Sequence, residues 1–403
     1  MQKASEFISG LDCESRKILS LIQKRGPLSK TELTLITNTK LSTLNRLMQP
    51  LEDQGFVVEV GIGMSTGGRK PVLYDTSPLK YYLVGIDISR TYTKVVITDM
   101  KLNILSQMEF AMDASCTPSA TVANISRLLA RELDKLCVYK SMVLGAGAGV
   151  VGPLDRTSGV IENAVHFPAP GWHNVPIGEM LKQAVGLPVV VDNGANMAVT
   201  AESLFGAGKG HDNIAYFHCG IWLRTAAIAD GTLIRSINDS EDAFGHMVVD
   251  IDGRRCSCGN FGCIECYCSI NAITLQFVSE LKKGRKSCVD RTVEDINYKD
   301  VCEAAQKGDE LAVEVIRNAA LVFAAGLANF INLFNPGVVI LSGPLISRSE
   351  LFYSICTEAA LTKCYAKEKN SVRFSRMGFF KDNAIAAGAA AMAFEQLVGS
   401  SIK

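Results

Sequence analysis

Five cysteines fall within residues 255–268, in the run RCSCGNFGCIECYC, the densest use of one residue type in the chain. Thiolates bind metals and attack electrophiles, and one carboxylate, Glu265, stands among them. The chain begins MQKASEFISGLDCESRK, with no basic stretch leading into an apolar run, so no signal-peptide pattern is present. No apolar span of about 18 residues is expected to cross a bilayer either. On this reading the protein is cytoplasmic, without membrane insertion, and its thiols stay reduced. The 13 cysteines then point to a metal site or to simple burial, and away from disulfides.

The elements that must position these groups can be read outward from them. The chain has 403 residues, 48% of them apolar, and a formal net charge of +0. That length supports two or three domains with cores of their own. The balanced charge excludes a polycation, so any nucleic-acid face is local. Frequent glycine and alanine, with strand-like runs alternating with helix-like ones, suit an α/β protein.

The first segment is short and locally basic. RKILSLIQK (16–24) has apolar residues at helical spacing, and Ser29-Lys-Thr-Glu32 has the form of a capping box, in which hydroxyl and carboxylate satisfy each other's backbone donors. A helix through LTLIT, a turn at Asn38 and a third helix, KLSTLNRLMQPLEDQGF, follow. Pro50 removes a backbone donor and is expected to kink or break that third helix. Two β-rich runs around the Gly-rich STGGRKP (65–71) then read as a hairpin, or wing. Three helices and a wing predict a winged helix-turn-helix over 1–77. No acid occurs from 33 to 51 or from 60 to 74, windows that hold Lys40, Arg46, Arg69 and Lys70. Ser42, Thr43, Asn45 and Arg46 fall where a recognition helix meets base edges. Asn suits adenine and Arg suits guanine, while Arg69 at the wing suits phosphate or the minor groove.

TSPLK (76–80) reads as a linker. Beyond it, YYLVGIDISRTYTKVVITDM reads strand, turn, strand, and VLGAGAGVVGPLD reads strand and Gly loop. LPVVVDNGAN reads as a strand running into a helix, and AAGLANFINLFNPGVVILSGPL as helix, turn and buried strand. AIAAGAAAMAFEQLV is an Ala-rich closing helix able to pack closely.

These pieces in this order resemble the ROK family of sugar kinases and sugar-responsive repressors, over nearly the whole chain. The most specific part is Gly245-His246 followed by CSCGNFGCIE (256–265); STGGRKP resembles the wing of the repressor branch. The resemblance implies an actin-like ATPase (ribonuclease H-like) body of two α/β lobes. The lobes would span 81–197, completed by a helix near 383–403, and 198–382. It also implies that His246, Cys256, Cys258 and Cys263 hold a zinc ion. Three thiolates and an imidazole make a closed tetrahedral set, typical of structural zinc. Cys266 and Cys268 fall outside the pattern and read as packing residues.

A kinase of this family needs two glycine loops and a base. Glycines let backbone approach phosphate, yet the first loop is Asp87-Ile-Ser89-Arg90-Thr91 and the second Gly220-Ile-Trp222-Leu-Arg224-Thr225. Gly194 stands where the kinases carry their aspartate base, a loss of about 10²–10⁴ in rate. The expectation is no enzyme activity. The implied sugar contacts are Gly152, Asn193, His246 and Glu265, while Gly194 and Ala243 replace two acids. Glu265 reads as an acceptor for a ligand hydroxyl, or alternatively as support for the zinc loop.

The expected protein is a transcriptional regulator of carbohydrate genes. Its partners are operator DNA, a sugar-like effector and a second copy of itself, as a homodimer or homotetramer matching a palindrome. Two other readings fit parts of the chain. One is a sugar kinase with an appended DNA domain. The other is a regulator answering to a protein partner, which the loss of the two pocket acids favours.

Overall fold

The structure is a computed structural model and describes residues 4–64, 70–235, 243–365 and 372–399. The chain divides into two compact units, Met1–Phe205 with Asn383–Lys403, and Gly206–Asp382.

The first unit opens with α1 (Ala4–Gly10), a helix the sequence reading did not include, and α2 (Cys13–Arg25), capped by the Asp12 carboxylate on Ser15 N. After β1 (Leu28–Ser29) comes α3 (Lys30–Thr37). It carries the predicted capping box, with Ser29 N donating to Glu32 at 2.7 Å and Glu32 N donating to the Ser29 hydroxyl at 3.2 Å. Asn38 ends α3 at a left-handed φ of 51°, which its short polar side chain tolerates. In α4 (Leu41–Asp53) the buried Leu44, Leu47, Met48 and Leu51 form the face that packs on α2. Of the kink or break expected at Pro50, the break does not occur; α4 runs on to Asp53. The proline costs only the bond its N–H would give the Arg46 carbonyl, and it falls in the last turn, whose apolar face is already anchored.

β2 (Val57–Ile62) and β3 (Val72–Thr76) form the hairpin, with β1 on the far edge of β3. Arg69 and the rest of 65–69 lie outside the described residues. The stretch read as a linker is pinned down. Lys80 Nζ and the Tyr81 hydroxyl both donate to Gln54 O, at 2.7 and 2.8 Å, and Tyr81 stacks on Phe56 at 3.8 Å.

The main sheet of this unit has the order β11-β7-β4-β5-β6. Its antiparallel part is β4 (Tyr82–Ile88), β5 (Tyr92–Asp99) and β6 (Ile104–Ala111). After α5 (Pro118–Lys135) comes β7 (Val143–Val150), parallel to β4. A small antiparallel sheet of β8 (Leu154–Asp155), β9 (Val160–Asn163) and β10 (His173–Val175) precedes α6 (Ile177–Val185) and β11 (Val189–Asn193). α7 (Gly194–Phe205) follows without a break, so the expected lobe boundary at 197/198 falls inside a continuous helix. β4 and β7 are buried along their whole length, as strands covered on both faces are.

In the second unit β12 (Ile214–Cys219), β13 (Leu223–Ala229) and β14 (Thr232–Ile234) make a meander. α8 (Glu265–Cys268), α9 (Ile270–Lys282), α10 (Tyr298–Gln306) and α11 (Glu310–Phe334) follow. Then come β15 (Val338–Ser342), α12 (Pro344–Arg348), α13 (Glu350–Lys363) and β16 (Arg373–Arg376), giving the order β14-β13-β12-β15-β16. α11 is long and apolar enough, by length and composition, to cross a bilayer, against the sequence expectation. Most of its apolar stretch is buried, with Phe323 and Phe330 edge-on to Phe217 in this unit's core.

The chain's last helix, α14 (Ala384–Val398), returns to the first unit. Side chains at Gly85 and Gly147 would strike the Ala386 and Ala389 carbonyls, and one at Gly388 would strike Met197 O. The Ala- and Gly-rich sequence is what lets this helix lie directly on the strands and on α7.

Candidate functional site

The cysteine run folds as a tight knuckle. Cys256 N donates to Asn260 O at 2.8 Å, Gly259 N returns to Cys256 O at 3.0 Å, and Gly259 takes a φ of 94°. Glu265 N on Gly245 O and Ile264 N on Met247 O, at 3.0 and 2.9 Å, bring His246 beside Cys263. The donor atoms of His246, Cys256, Cys258 and Cys263 all lie within 4.8 Å of one another. Cys258 Sγ and Cys263 Sγ are 3.7 Å apart, and Cys256 Sγ and His246 Nδ1 are 3.6 Å apart. A tetrahedron with Zn–S near 2.3 Å and Zn–N near 2.05 Å has edges of about 3.8 and 3.6 Å. The donor set therefore fits a zinc-sized ion, with His246 Nε2 left on the outside.

Without a metal the thiols share their protons unevenly. Burial raises Cys256, but the Cys258 backbone and the neighbouring thiols outweigh it and bring it to about 6. Burial and the neighbouring thiols push Cys263 up to about 12. Cys266 and Cys268 stand outside the set of four. Cys268 is buried in the core on Ile264 O, and Cys266 leans toward Arg255 O at 3.8 Å.

Glu265 opens α8 and is buried, and its Oε2 accepts from Leu223 N at 3.2 Å. One carboxylate oxygen thus braces the start of β13. In the first unit Asn193 ends β11, and its Oδ1 caps α7 through Ala195 N at 2.5 Å. Its Nδ2 is buried and finds no hydrogen-bond partner among the described residues. A buried unpaired donor costs about 1–3 kcal/mol, which any hydrogen-bond acceptor placed here would recover. Gly152 is half-buried in the turn after β7. Asp192 accepts from Asn193 N and from Asn196 Nδ2, at 2.7 and 2.9 Å, so it is committed to the start of α7. Gly194, the first residue of α7, offers no side chain. Ala243 is exposed; its carbonyl accepts from His246 N at 3.3 Å, but its methyl side chain offers no acceptor.

Neither glycine-loop counterpart is open backbone. Ser89 N closes a turn on Tyr92 O at 3.0 Å, and the buried Arg90 donates to Val165 O at 2.8 Å. In the second unit Trp222 and Arg224 are half-buried at the β12–β13 turn.

On α4, Ser42, Asn45 and Arg46 are exposed along one helical face, with Lys40 exposed at the N-cap. Thr43 is half-buried and turned aside from that face. Gln49 continues the face one turn on and was missed by the sequence reading, although its spacing of seven from Ser42 marks it. Asn45, Arg46 and Gln49 line a groove together with Phe7 of α1.

Residues 83–396 match the profile of the ROK family, and residues 15–58 match a winged helix-turn-helix DNA-binding profile. The xylose repressor of Bacillus spizizenii is 26% identical over 381 residues, covering 94% of each chain. The DNA-binding transcriptional dual regulator NagC of Escherichia coli is 25% identical, over 82% of this chain and 80% of its own. Among solved structures, a ROK family transcriptional regulator homologous to E. coli MLC superposes with a TM-score of 0.79 at 23% identity, over 96% of this chain and 97% of its own. A ROK glucokinase from Streptomyces griseus, in complex with glucose and AMPPNP, reaches 0.65 at 28% identity over 77% of this chain and 98% of its own. The chain belongs to the ROK family and carries a winged helix-turn-helix DNA-binding domain ahead of its α/β body.

Proposed function

We propose that this protein controls genes of carbohydrate uptake or catabolism by holding operator DNA with α4 and the wing, and that a sugar-like effector sets its grip. It is a DNA-binding, sugar-responsive repressor of the ROK type. The observation that carries this reading is the winged helix-turn-helix fused to a body whose loops carry Ser89, Gly194 and Trp222. Those substitutions leave neither open backbone for a triphosphate nor a carboxylate base, so the body senses and does not phosphorylate. Zinc on His246, Cys256, Cys258 and Cys263 is structural, because a closed four-ligand set keeps no position for substrate. The proposed effector contacts are Asn193, through the Nδ2 that finds no partner among the described residues, and Gly152 in the first unit, and Glu265 and His246 in the second. With Gly194 and Ala243 in place of acids, an effector bearing negative charge is not repelled, which favours a sugar phosphate or sugar acid over a neutral hexose.

The protein works in the cytoplasm as a homodimer or homotetramer, since two recognition helices are needed for a palindromic site. The test is to select an operator from random DNA and titrate the complex with neutral sugars, sugar phosphates and sugar acids. Release by one class supports the reading and identifies the effector. No response to any of them would shift it to a regulator governed by a protein partner.

A further inference from the structure

Of the thiols in the cysteine run, Cys266 neither joins the set of four nor sinks into the core as Cys268 does. It lies three residues after Cys263, and its N–H donates to Cys263 O at 3.0 Å. Side chains three apart across so tight a turn lie one above the other, so Cys266 stands on the same side of the turn as Cys263. Its backbone is held to the knuckle, because Arg254 Nη1 donates to Cys266 O at 3.1 Å and the guanidinium lies over the Tyr267 ring at 4.8 Å. The Cys266 thiol is half-buried, leans toward Arg255 O at 3.8 Å and is a hydrogen-bonding neighbour of the Cys256 thiol. Cys256 in turn is 3.6 Å from His246 Nδ1, while Cys258 and Cys263 face each other across the opposite edge at 3.7 Å. The fifth thiol therefore stands by the edge that carries the imidazole.

We propose that Cys266 is a reserve ligand for the metal of this knuckle, able to complete a four-cysteine set with Cys256, Cys258 and Cys263 when His246 lets go. The proposal rests on the reading that the knuckle holds zinc. Cys263-Ile-Glu-Cys266 has the C-x-x-C spacing that zinc sites use, and four thiolates make as complete a tetrahedral shell as three with an imidazole. In the exchange the Cys266 thiol gives its proton to solvent as its sulfur joins the ion, and the bond to His246 Nδ1 breaks. No oxidant or reductant takes part. A thiolate then stands in for a neutral imidazole, which adds one negative charge, and the exposed Arg254 and Arg255 beside Cys256 offset it. The loop keeps its ion while His246 gains a free second nitrogen, so the imidazole can turn to an effector without the knuckle coming apart. Cys258 sits on the far edge, so Cys266 does not replace that ligand.

The experiment loads the full-length protein with zinc and, in parallel, with cobalt(II). It compares wild type with Cys266→Ser, His246→Ala, the bulkier His246→Gln and the double variant His246→Ala with Cys266→Ser. Elemental analysis gives the metal content, and competition against a chromophoric chelator gives the affinity. The sulfur-to-cobalt charge-transfer absorption reports how many thiolates bind. Wild type and Cys266→Ser should each hold one ion per chain with the same cobalt spectrum. Both His246 variants should also hold one ion, with a stronger charge-transfer band than wild type. The double variant should bind more weakly than His246→Ala by over about 100-fold, because losing a residue that merely orients a ligand already costs about 10–100-fold. His246 variants that lose the metal, or fail to fold, as the double variant does would overturn the proposal and leave the zinc reading standing. Metal retained in the double variant, or a charge-transfer band no stronger in the His246 variants than in wild type, would do the same. A wild type without metal would overturn the zinc reading itself.

Discussion

Lys24 and Glu395, 371 residues apart in the chain, form an ion pair of 2.7 Å that joins α2 of the DNA-binding segment to α14. The Glu395 side chain is only 6% exposed, Lys24 is 26% exposed, and the second carboxylate oxygen has no hydrogen-bond partner among the described residues. Beside the pair, Gln23 Nε2 donates to Met100 O at 2.7 Å.

Removing one member of such a pair strands a buried charge. Lys24→Met should lower stability by roughly 3 kcal/mol, and Lys24→Met with Glu395→Gln should recover most of it. Denaturant unfolding of the single and double variants measures the coupling. A double variant no more stable than the single one would show that the pair contributes nothing.

The exposed face of α4 predicts how DNA binding fails. Arg46→Ala should weaken operator binding by roughly 1–3 kcal/mol and relax specificity at one base pair. Arg69→Ala should weaken binding for all sequences and flatten the salt dependence, as losing a phosphate contact does. Fluorescence anisotropy across a salt series reads both effects. If residues 78–403 alone bound the operator as tightly as the full chain, the assignment would be wrong.

Each chain should carry one zinc ion, measured by elemental analysis after purification without chelator. Cys258→Ala should lower both metal content and the melting temperature. Metal binding at such sites is also folding free energy, on the order of 10 kcal/mol in small zinc peptides. Full metal occupancy in Cys258→Ala would remove that residue from the ligand set.

ATP should not be consumed with any hexose in a coupled assay. Gly194→Asp should not restore turnover, because Ser89 and Trp222 still occupy the loops. Phosphorylation of a hexose by the unmodified chain would falsify this reading.

Burial, with Arg224 beside it, pushes the His218 imidazole from 6.5 down to about 3. The unfolded chain therefore takes up a proton near pH 6.5 that the folded chain refuses until about pH 3. The stability contribution is complete above 6.5 and declines as the pH falls toward 3. Relative to His218→Asn, the wild type should lose at most about 2 kcal/mol between pH 7 and pH 5. Denaturant melts of both proteins at the two pH values test this, and equal losses would contradict it.

What the sequence determined by itself is local or chemical. The Ser29–Glu32 capping box and the Asn38 turn involve hydrogen bonds spanning a few residues, so their spacing carries the information. The knuckle of Cys256, Cys258 and Cys263 is local in the same way, and the identities of Ser89, Gly194 and Trp222, on which the proposed lack of kinase activity rests, are read directly from the chain. Other features needed the fold. Pro50 could continue α4 because packing on α2 already held the last turn. Glu265 met the Leu223 backbone 42 residues away, and register across β12 and β13 set Arg224 beside His218. The unpaired Asn193 amide and the Lys24–Glu395 pair likewise follow from which surfaces end up buried against each other. Long-range burial decides which polar groups lose water and which partners they find, and no short window of sequence carries that.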